Sequence, residues 1–374
     1  MSRRRLRPAL AFTAALLAVS ACSSPEPPPP SETQSPTSSR PPAPPVQTPN
    51  AKVPAPATAA PAVLTATEPT FNLRKDPTAK RRYLSGIWLG GFTPQPLARF
   101  GAWRGAPVET ATSYTSYESW DVMRDDWTIK AMAGFEGTLI FGVPVLPAKG
   151  GNSSLAAVAD GKHDDTWRQI VANLQKNGRA DTLVRVAPEA NGSRWSSWGA
   201  DAKTAEDYKA AFRRVVAVMR AAEPKLRFVF DVSCGAEVVG DTNRMAPLER
   251  LYPGDDVVDV VGCDVYDENE MRFDGVPEHL GGTEKGPNVG EVLDFAKRHG
   301  KPMAIPEWGL HQQLGPGDHP EFIETMRAFL DKHAEDILFE NYFSESGTDL
   351  GSGIFEKDQN PRSAQKYREL WRNR

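Results

Sequence analysis

The sequence predicts an α/β fold, a (β/α)8 barrel of the TIM type over residues 68–374, preceded by a disordered Pro-rich linker. Short apolar, β-branched-rich runs recur eight times, and segments with helical periodicity separate them, the grammar of repeated βα units on a parallel sheet. About 300 residues is also near the usual size of such a barrel. No repeat of fixed period is visible, which disfavours a solenoid or propeller.

The strand candidates, in order, are "YLSGIWLGG" (83–91), "VETATSYT" (108–115), "GTLIFGVPVL" (137–146) and "TLVRVAPE" (182–189). "LRFVFDVS" (226–233), "VVDVVGCDVY" (257–266), "PMAIPEWG" (302–309) and "ILFENYFS" (337–344) complete the ring. The second, half of it Thr and Ser, is the least strand-like. Between them lie amphipathic helices. "DDTWRQIVANLQKNG" (164–178) opens with acids and stops at Asn-Gly, and the segment 204–224 has Thr204 as a cap, acids in its first turn and Pro224 past its end. The segments 288–302 and 319–336 repeat that pattern, and "PRSAQKYRELWRN" (361–373) closes the chain.

Upstream of the barrel the composition changes. "MSRRRLRP" followed by "ALAFTAALLAVSA" is a cationic start and an apolar run too short to span a bilayer, the pattern of an export signal over residues 1–21. "VSAC" resembles the lipobox of bacterial lipoproteins, which implies lipidation at Cys22 and anchoring to the outer face of the cell membrane; simple cleavage and secretion is the alternative. Residues 22–67 are rich in Pro, Ala, Ser and Thr and lack the apolar side chains that would offset the entropy of ordering, so they read as a semi-extended stalk.

With 44 basic against 48 acidic residues and a net charge of -4, the chain has no basic excess of the kind that marks a nucleic-acid binder. Cys234 and Cys263 each follow an apolar run on neighbouring strand candidates, so a disulfide is open to them in an exported protein; without CxxC spacing they do not read as a zinc site. His163, His311 and His319 show no ligand spacing and read as surface or helix-cap residues. No metal or cofactor is implied, and a monomer is expected. A serine hydrolase is not supported, because G-x-S-x-G is missing.

Chemistry enters through two glutamates. Active sites of these barrels form at the C-terminal ends of the strands, and Glu189 ends the fourth run while Glu307 lies near the end of the seventh. Two carboxyl groups about 5–5.5 Å apart hydrolyse a glycosidic bond with retention, one as nucleophile and one as acid and then base. The acid needs a raised pKa, which aromatic neighbours such as Trp195, Trp198 and Trp308 and the other carboxylate can provide. Indoles near acids also suit a sugar, whose flat C–H face packs on an aromatic ring. Trp88, near the end of the first run, is a further binding candidate; Trp103 and Trp120 read as packing.

"VRVAPEANGSRWSSW", "YPGDDVVDVVGCDVYD" and "KPMAIPEWG", with "GIWLGG" and "GAWRGAPVETATSY" in order before them, resemble glycoside hydrolase family 26 over almost all of residues 80–374. Those are retaining β-glycanases with catalytic glutamates on strands four and seven. The resemblance implies Glu189 as acid/base, Glu307 as nucleophile and Arg185 as the arginine beside the nucleophile. It places Asp264 and Tyr266 near the reacting sugar, the tyrosine bonding the nucleophile, and Asn191, Trp195 and Trp198 in a loop that shapes the subsites. Trp308 and Tyr342, the latter near strand eight where the family has a tryptophan, complete the substrate-binding set. Pro188 stands where typical members have histidine, and the third run has no histidine. The implied activity is endo-acting, retaining hydrolysis of a β-linked polysaccharide, with β-mannan, mixed-linkage β-glucan, β-1,3-xylan and a bacterial exopolysaccharide all open. A non-hydrolytic glycan-binding lipoprotein on the same barrel is the alternative.

Overall fold

The computed structural model of the chain describes residues 73, 83–91, 93–148, 153–268, 270–356 and 359–372. The export signal, Cys22 and the Pro-rich stretch lie outside the described residues. Eight parallel strands close on themselves in sequence order, β8 pairing with β1. They are β1 (Leu84–Trp88), β2 (Thr110–Tyr114), β3 (Thr138–Val143), β4 (Leu183–Val186), β5 (Arg227–Ser233), β6 (Val260–Asp267), β7 (Met303–Leu310) and β8 (Ile337–Phe343). Each falls inside or within one residue of its predicted run, the Thr-rich β2 included.

The connecting helices are α1 (Pro94–Arg104), α2 (Trp120–Met123), α3 (Trp127–Ala131), α4 (Leu155–Ala159), α5 (Asp164–Lys176), α6 (Ala205–Ala222), α7 (Ala246–Glu249), α8 (Val289–Arg298), α9 (Pro320–Lys332) and α10 (Pro361–Trp371). α6 buries Tyr208, Phe212, Val215, Val216 and Met219, the i, i+4, i+7, i+8, i+11 stripe that seats a helix on a sheet. Its start differs from expectation. Thr204 is at the cap position, but its hydroxyl donates to Asp201 Oδ1 (2.9 Å), which also accepts the Lys203 and Thr204 N–H groups. Asp201 therefore organises the turn. α8 starts with a reciprocal capping box between Asn288 and Glu291. His163 and His319 stand at the cap positions of α5 and α9.

Inside the ring, Leu84, Ile140, Leu183, Val229, Val260, Ala304 and Phe339 form one apolar layer from seven strands. Because side chains alternate, the inward positions beyond that layer toward the C-terminal ends include Arg185, Asp231 and Asn341, each two residues further on, and Asp264, four residues beyond Val260. The floor is apolar and the mouth polar. On β7 the alternation is re-phased by a bulge: three steps from Ile305 to Trp308 oppose two steps from Glu340 to Tyr342. Strict alternation from the inward Ala304 would turn Glu307 out and Trp308 in. The bulge does the reverse.

Cys234, just past β5, and Cys263 on β6 are joined as a disulfide, with Cα atoms 5.8 Å apart.

Candidate active site

Arg185 is fully buried and spends its guanidinium on three carboxylates. Nε donates to Asp231 Oδ2 (2.6 Å), Nη2 to Asp264 Oδ2 (2.5 Å) and Nη1 to Glu307 Oε1 (2.6 Å). A guanidinium suits this because its donors form a rigid planar fork. Two phenols complete the cradle of Glu307: Tyr114 donates to Oε1 (2.5 Å) and Tyr266 to Oε2 (2.9 Å). Burial first, then the charge of Glu307, pushes both phenols well above their usual range, so they remain donors. Every group facing Glu307 in this cradle is a donor, the surroundings of a carboxylate.

Glu189 sits just past β4 on a turn with two left-handed residues, Ala187 (φ 47) and Glu189 (φ 54), around Pro188. Non-glycine residues there cost on the order of 1–3 kcal/mol each and persist only when the surroundings over-determine them. Here they do. The Ala187 N–H donates to Val143 O (2.9 Å), the Glu189 N–H to Asp231 Oδ1 (2.6 Å), the Ala190 N–H to Asp231 O (2.9 Å), and Trp198 Nε1 to Pro188 O (2.8 Å). Trp195 Nε1 donates to Glu189 Oε2 at 2.6 Å. That indole can fold over the carboxyl because residue 192 is glycine: a Cβ there would lie 2.8 Å from both Glu189 O and Trp195 Nε1. Burial, then the charge of Glu307, pushes the Glu189 carboxyl up to about 8, against the pull of the Trp195 N–H and of Arg185.

Arg185, Asp264, Tyr266, Glu307, Glu189 and Trp195 thus meet at one end of the barrel. Five other expected substrate contacts are not offered to a ligand. Trp308 is completely buried on the helix side, its Nε1 donating to Glu340 Oε2 (2.7 Å), because the β7 bulge turns it outward. Its cross-strand partner Tyr342 is likewise buried there and donates to Ser352 O (2.7 Å). Trp198 is buried beneath the Glu189 turn, edge-on to Tyr117. Asn191 spends its whole amide on the main chain, Nδ2 on Ser233 O and Ala236 O (2.9 Å each) and Oδ1 on the Ser233 N–H (2.8 Å). Trp88 is also buried, stacked on Phe343 with centroids 5.7 Å apart and edge-on to Tyr114. Phe343 and Tyr114 are the partly exposed members of that group, and the Phe343 ring lies 6.1 Å from that of Tyr266.

Tyr114 and Asp231 were not singled out from the sequence. A carboxylate inside the apolar run "RFVFDVS" was a signal for Asp231, since a buried charge needs a partner. Tyr114 gave only its place at the end of β2.

The fold and this constellation define a (β/α)8-barrel protein with two glutamates in unlike surroundings at the strand ends, a set able to supply an acid and a nucleophile. The family model for Glycosyl hydrolase family 26 matches residues 162–299, which include Arg185, Glu189, Asp231, Asp264 and Tyr266 but end before Glu307. The chain is 33% identical over 159 residues to a mannan endo-1,4-β-mannosidase of Bifidobacterium adolescentis, which covers 40% of this chain and 15% of that protein. It is 28% identical over 146 residues to a β-1,3-xylanase of a Vibrio species, covering 37% of this chain and 28% of the relative. It thus spans well under a third of either relative. The solved structure of a modular endo-β-1,4-mannanase from Cellulomonas fimi superposes with a TM-score of 0.57 at 17% identity, over 78% of this chain and 71% of that one, a likeness of fold. Over residues 162–299 the chain is thus similar to glycoside hydrolase family 26.

Proposed function

We propose that the protein is a retaining glycoside hydrolase that cleaves β-linked polysaccharide internally, without metal or cofactor. The observation that carries this reading is the unlike treatment of two neighbouring glutamates: one cradled by Arg185, Tyr114 and Tyr266, the other pushed up to about 8. In the first step a Glu307 oxygen attacks the anomeric carbon as Glu189 gives its proton to the departing glycosidic oxygen. Oε2, with a single tyrosine donor, has the freer lone pairs. Forming the glycosyl ester removes the charge of Glu307, and with it the second-largest influence holding the Glu189 proton. The same carboxyl then accepts a proton from water, which opens the ester and returns both groups to their starting state.

The names of the relatives favour β-mannan and β-1,3-xylan within this proposal. The N-terminal sequence supports placing the barrel on the outer face of the membrane, tethered through Cys22 by the Pro-rich stalk. The test is reducing-sugar release by the full chain from β-mannan, mixed-linkage β-glucan, β-1,3-xylan and a bacterial exopolysaccharide. Release that vanishes in Glu307→Gln is expected. Binding to one of these polymers with no release by the unaltered protein would replace the hydrolase by a glycan-binding lipoprotein.

A further inference from the structure

Asp231 belongs to neither glutamate and touches the supports of both. It is fully buried on β5, one residue wide of the apolar strand positions Phe230 and Val232. Its Oδ1 accepts the N–H of Glu189 at 2.6 Å, and its Oδ2 accepts Nε of Arg185 at 2.6 Å. Its own carbonyl takes the N–H of Ala190 at 2.9 Å. Arg185 in turn holds Glu307 Oε1. A continuous path therefore runs from the left-handed main chain of Glu189, through one carboxylate and one guanidinium, to the other glutamate. Among the described residues, no other side chain bonds both the Glu189 peptide and Arg185.

We propose that Asp231 is a positioning residue that fixes Glu189 relative to Glu307 and that its negative charge helps keep the proton on Glu189. This inference rests on the hydrolase reading for its kinetic consequence, though not for its electrostatic one. The chemistry demands an aspartate. Both neighbours are donors, so the bridge needs two acceptor oxygens on a short arm. Asparagine would present an NH2 to either the Glu189 N–H or Arg185 Nε–H, breaking one link whichever way its amide turns. Glutamate keeps the charge but lengthens the arm.

The charged and titratable groups around the Glu189 carboxyl are Glu307 on β7, Arg185 on β4, Asp231 on β5, and Asp264 and Tyr266 on β6, with Arg194 of the Glu189 loop further out, paired with Glu237 of the loop after β5. Arg185 is the one buried cation among them. Removing the Asp231 charge leaves Arg185 less compensated, so Glu189 releases its proton at lower pH. The basic limb of an activity profile must then move toward acid.

The deciding experiment follows the Glu189 carboxyl directly by 13C NMR of glutamate-labelled full chain, its resonance assigned by its loss in Glu189→Gln. The expected result is a midpoint of about 8 in the unaltered protein and one lower by about half a unit or more in Asp231→Asn. Asp231→Glu keeps its midpoint close to that of the unaltered protein. An unchanged midpoint in folded Asp231→Asn overturns the electrostatic role whether or not the protein hydrolyses a glycan. On whichever β-mannan or β-1,3-xylan oligosaccharide the unaltered protein cleaves, both variants should lose about a hundredfold in kcat with KM moved less than about threefold, the penalty of small misplacement. A wild-type kcat in Asp231→Glu overturns the positioning role, including where Asp231→Asn fails to fold. Absence of any cleavage by the unaltered protein counts against the hydrolase reading alone.

Discussion

Glu307 and Glu340 stand on adjacent strands, and each is ringed by hydrogen-bond donors. Glu340 is completely buried; it accepts Trp308 Nε1 (2.7 Å) and Trp371 Nε1 (2.9 Å), as well as the Ser85 hydroxyl to which Arg104 also donates. Burial pushes its carboxyl up, against the pull of Ser85, the two indoles and Arg104. By the criteria of burial, partners and a perturbed carboxyl, Glu340 is as conspicuous as anything at the mouth. It nevertheless faces outward, sealed beneath α10. Glu307 keeps 14% of its side chain exposed and has Glu189 across from it. What separates Glu307 from Glu340 is an open side and a second carboxyl, Glu189, in unlike surroundings.

The largest expected effect breaks the two apart by function. Glu307→Gln should lower kcat/KM by about 10⁴-fold or more, since the amide cannot form the glycosyl ester. Glu340→Gln should leave kcat/KM within about threefold, because no step of the chemistry runs on the helix side. Steady-state kinetics on a cleaved polymer decides both; a large catalytic loss in Glu340→Gln would erase the distinction. Conversely, stability should reverse the order. Glu340→Ala strips the acceptor from two buried indoles and opens a cavity, a loss of about 3 kcal/mol that urea unfolding would register.

The tyrosines sharpen the comparison at the open side. Tyr114 shares Oε1 with Arg185, while Tyr266 is the donor on Oε2. Tyr266→Phe should therefore lose about 30–100-fold in kcat and Tyr114→Phe nearer tenfold, charge-assisted hydrogen bonds being worth about 1.5–3 kcal/mol. Equal losses would mean that Arg185 does not substitute for the missing phenol.

Much of this was legible in the sequence, and for stateable reasons. A closed parallel ring imposes eight apolar runs, and function at the strand ends makes an acid after "TLVRV" and another in "PMAIPEWG" noticeable. Arg185 was found through the family resemblance, and its three carboxylate partners are the company that a charge inside an apolar strand needs. The misplaced residues share another cause. Whether Trp308 faces the mouth depends on a one-residue bulge in β7, and no periodicity announces a bulge. Trp198 and Asn191 sit in the Glu189 loop, where the indole and amide groups serve the main chain instead of a ligand. The polar β2 looked unlike a strand because Thr110 and Thr112 bond Asn341 inside the barrel. A polar interior near the mouth weakens the apolar signal where the site begins.

The smallest effect tests the Glu189 side of the contrast through stability. A carboxyl whose folded pKa is about 8, against about 4.5 in the unfolded chain, must be kept protonated on folding at pH 7. Such a group favours the fold fully only below the unfolded value, and that advantage is lost as pH rises toward the folded one. Glutamine carries no proton to hold, accepts the Trp195 N–H with its carbonyl oxygen, and keeps the side-chain volume. Glu189→Gln should then be about as stable as the unaltered protein at pH 4 and more stable by about 1–2 kcal/mol at pH 8, discounted because Glu189 is partly open to solvent. Unfolding curves at the two pH values measure that difference. A stability advantage of Glu189→Gln over the unaltered protein that is no larger at pH 8 than at pH 4 would show that Glu189 is ionised in the resting fold, leaving it no proton to give to a glycosidic oxygen.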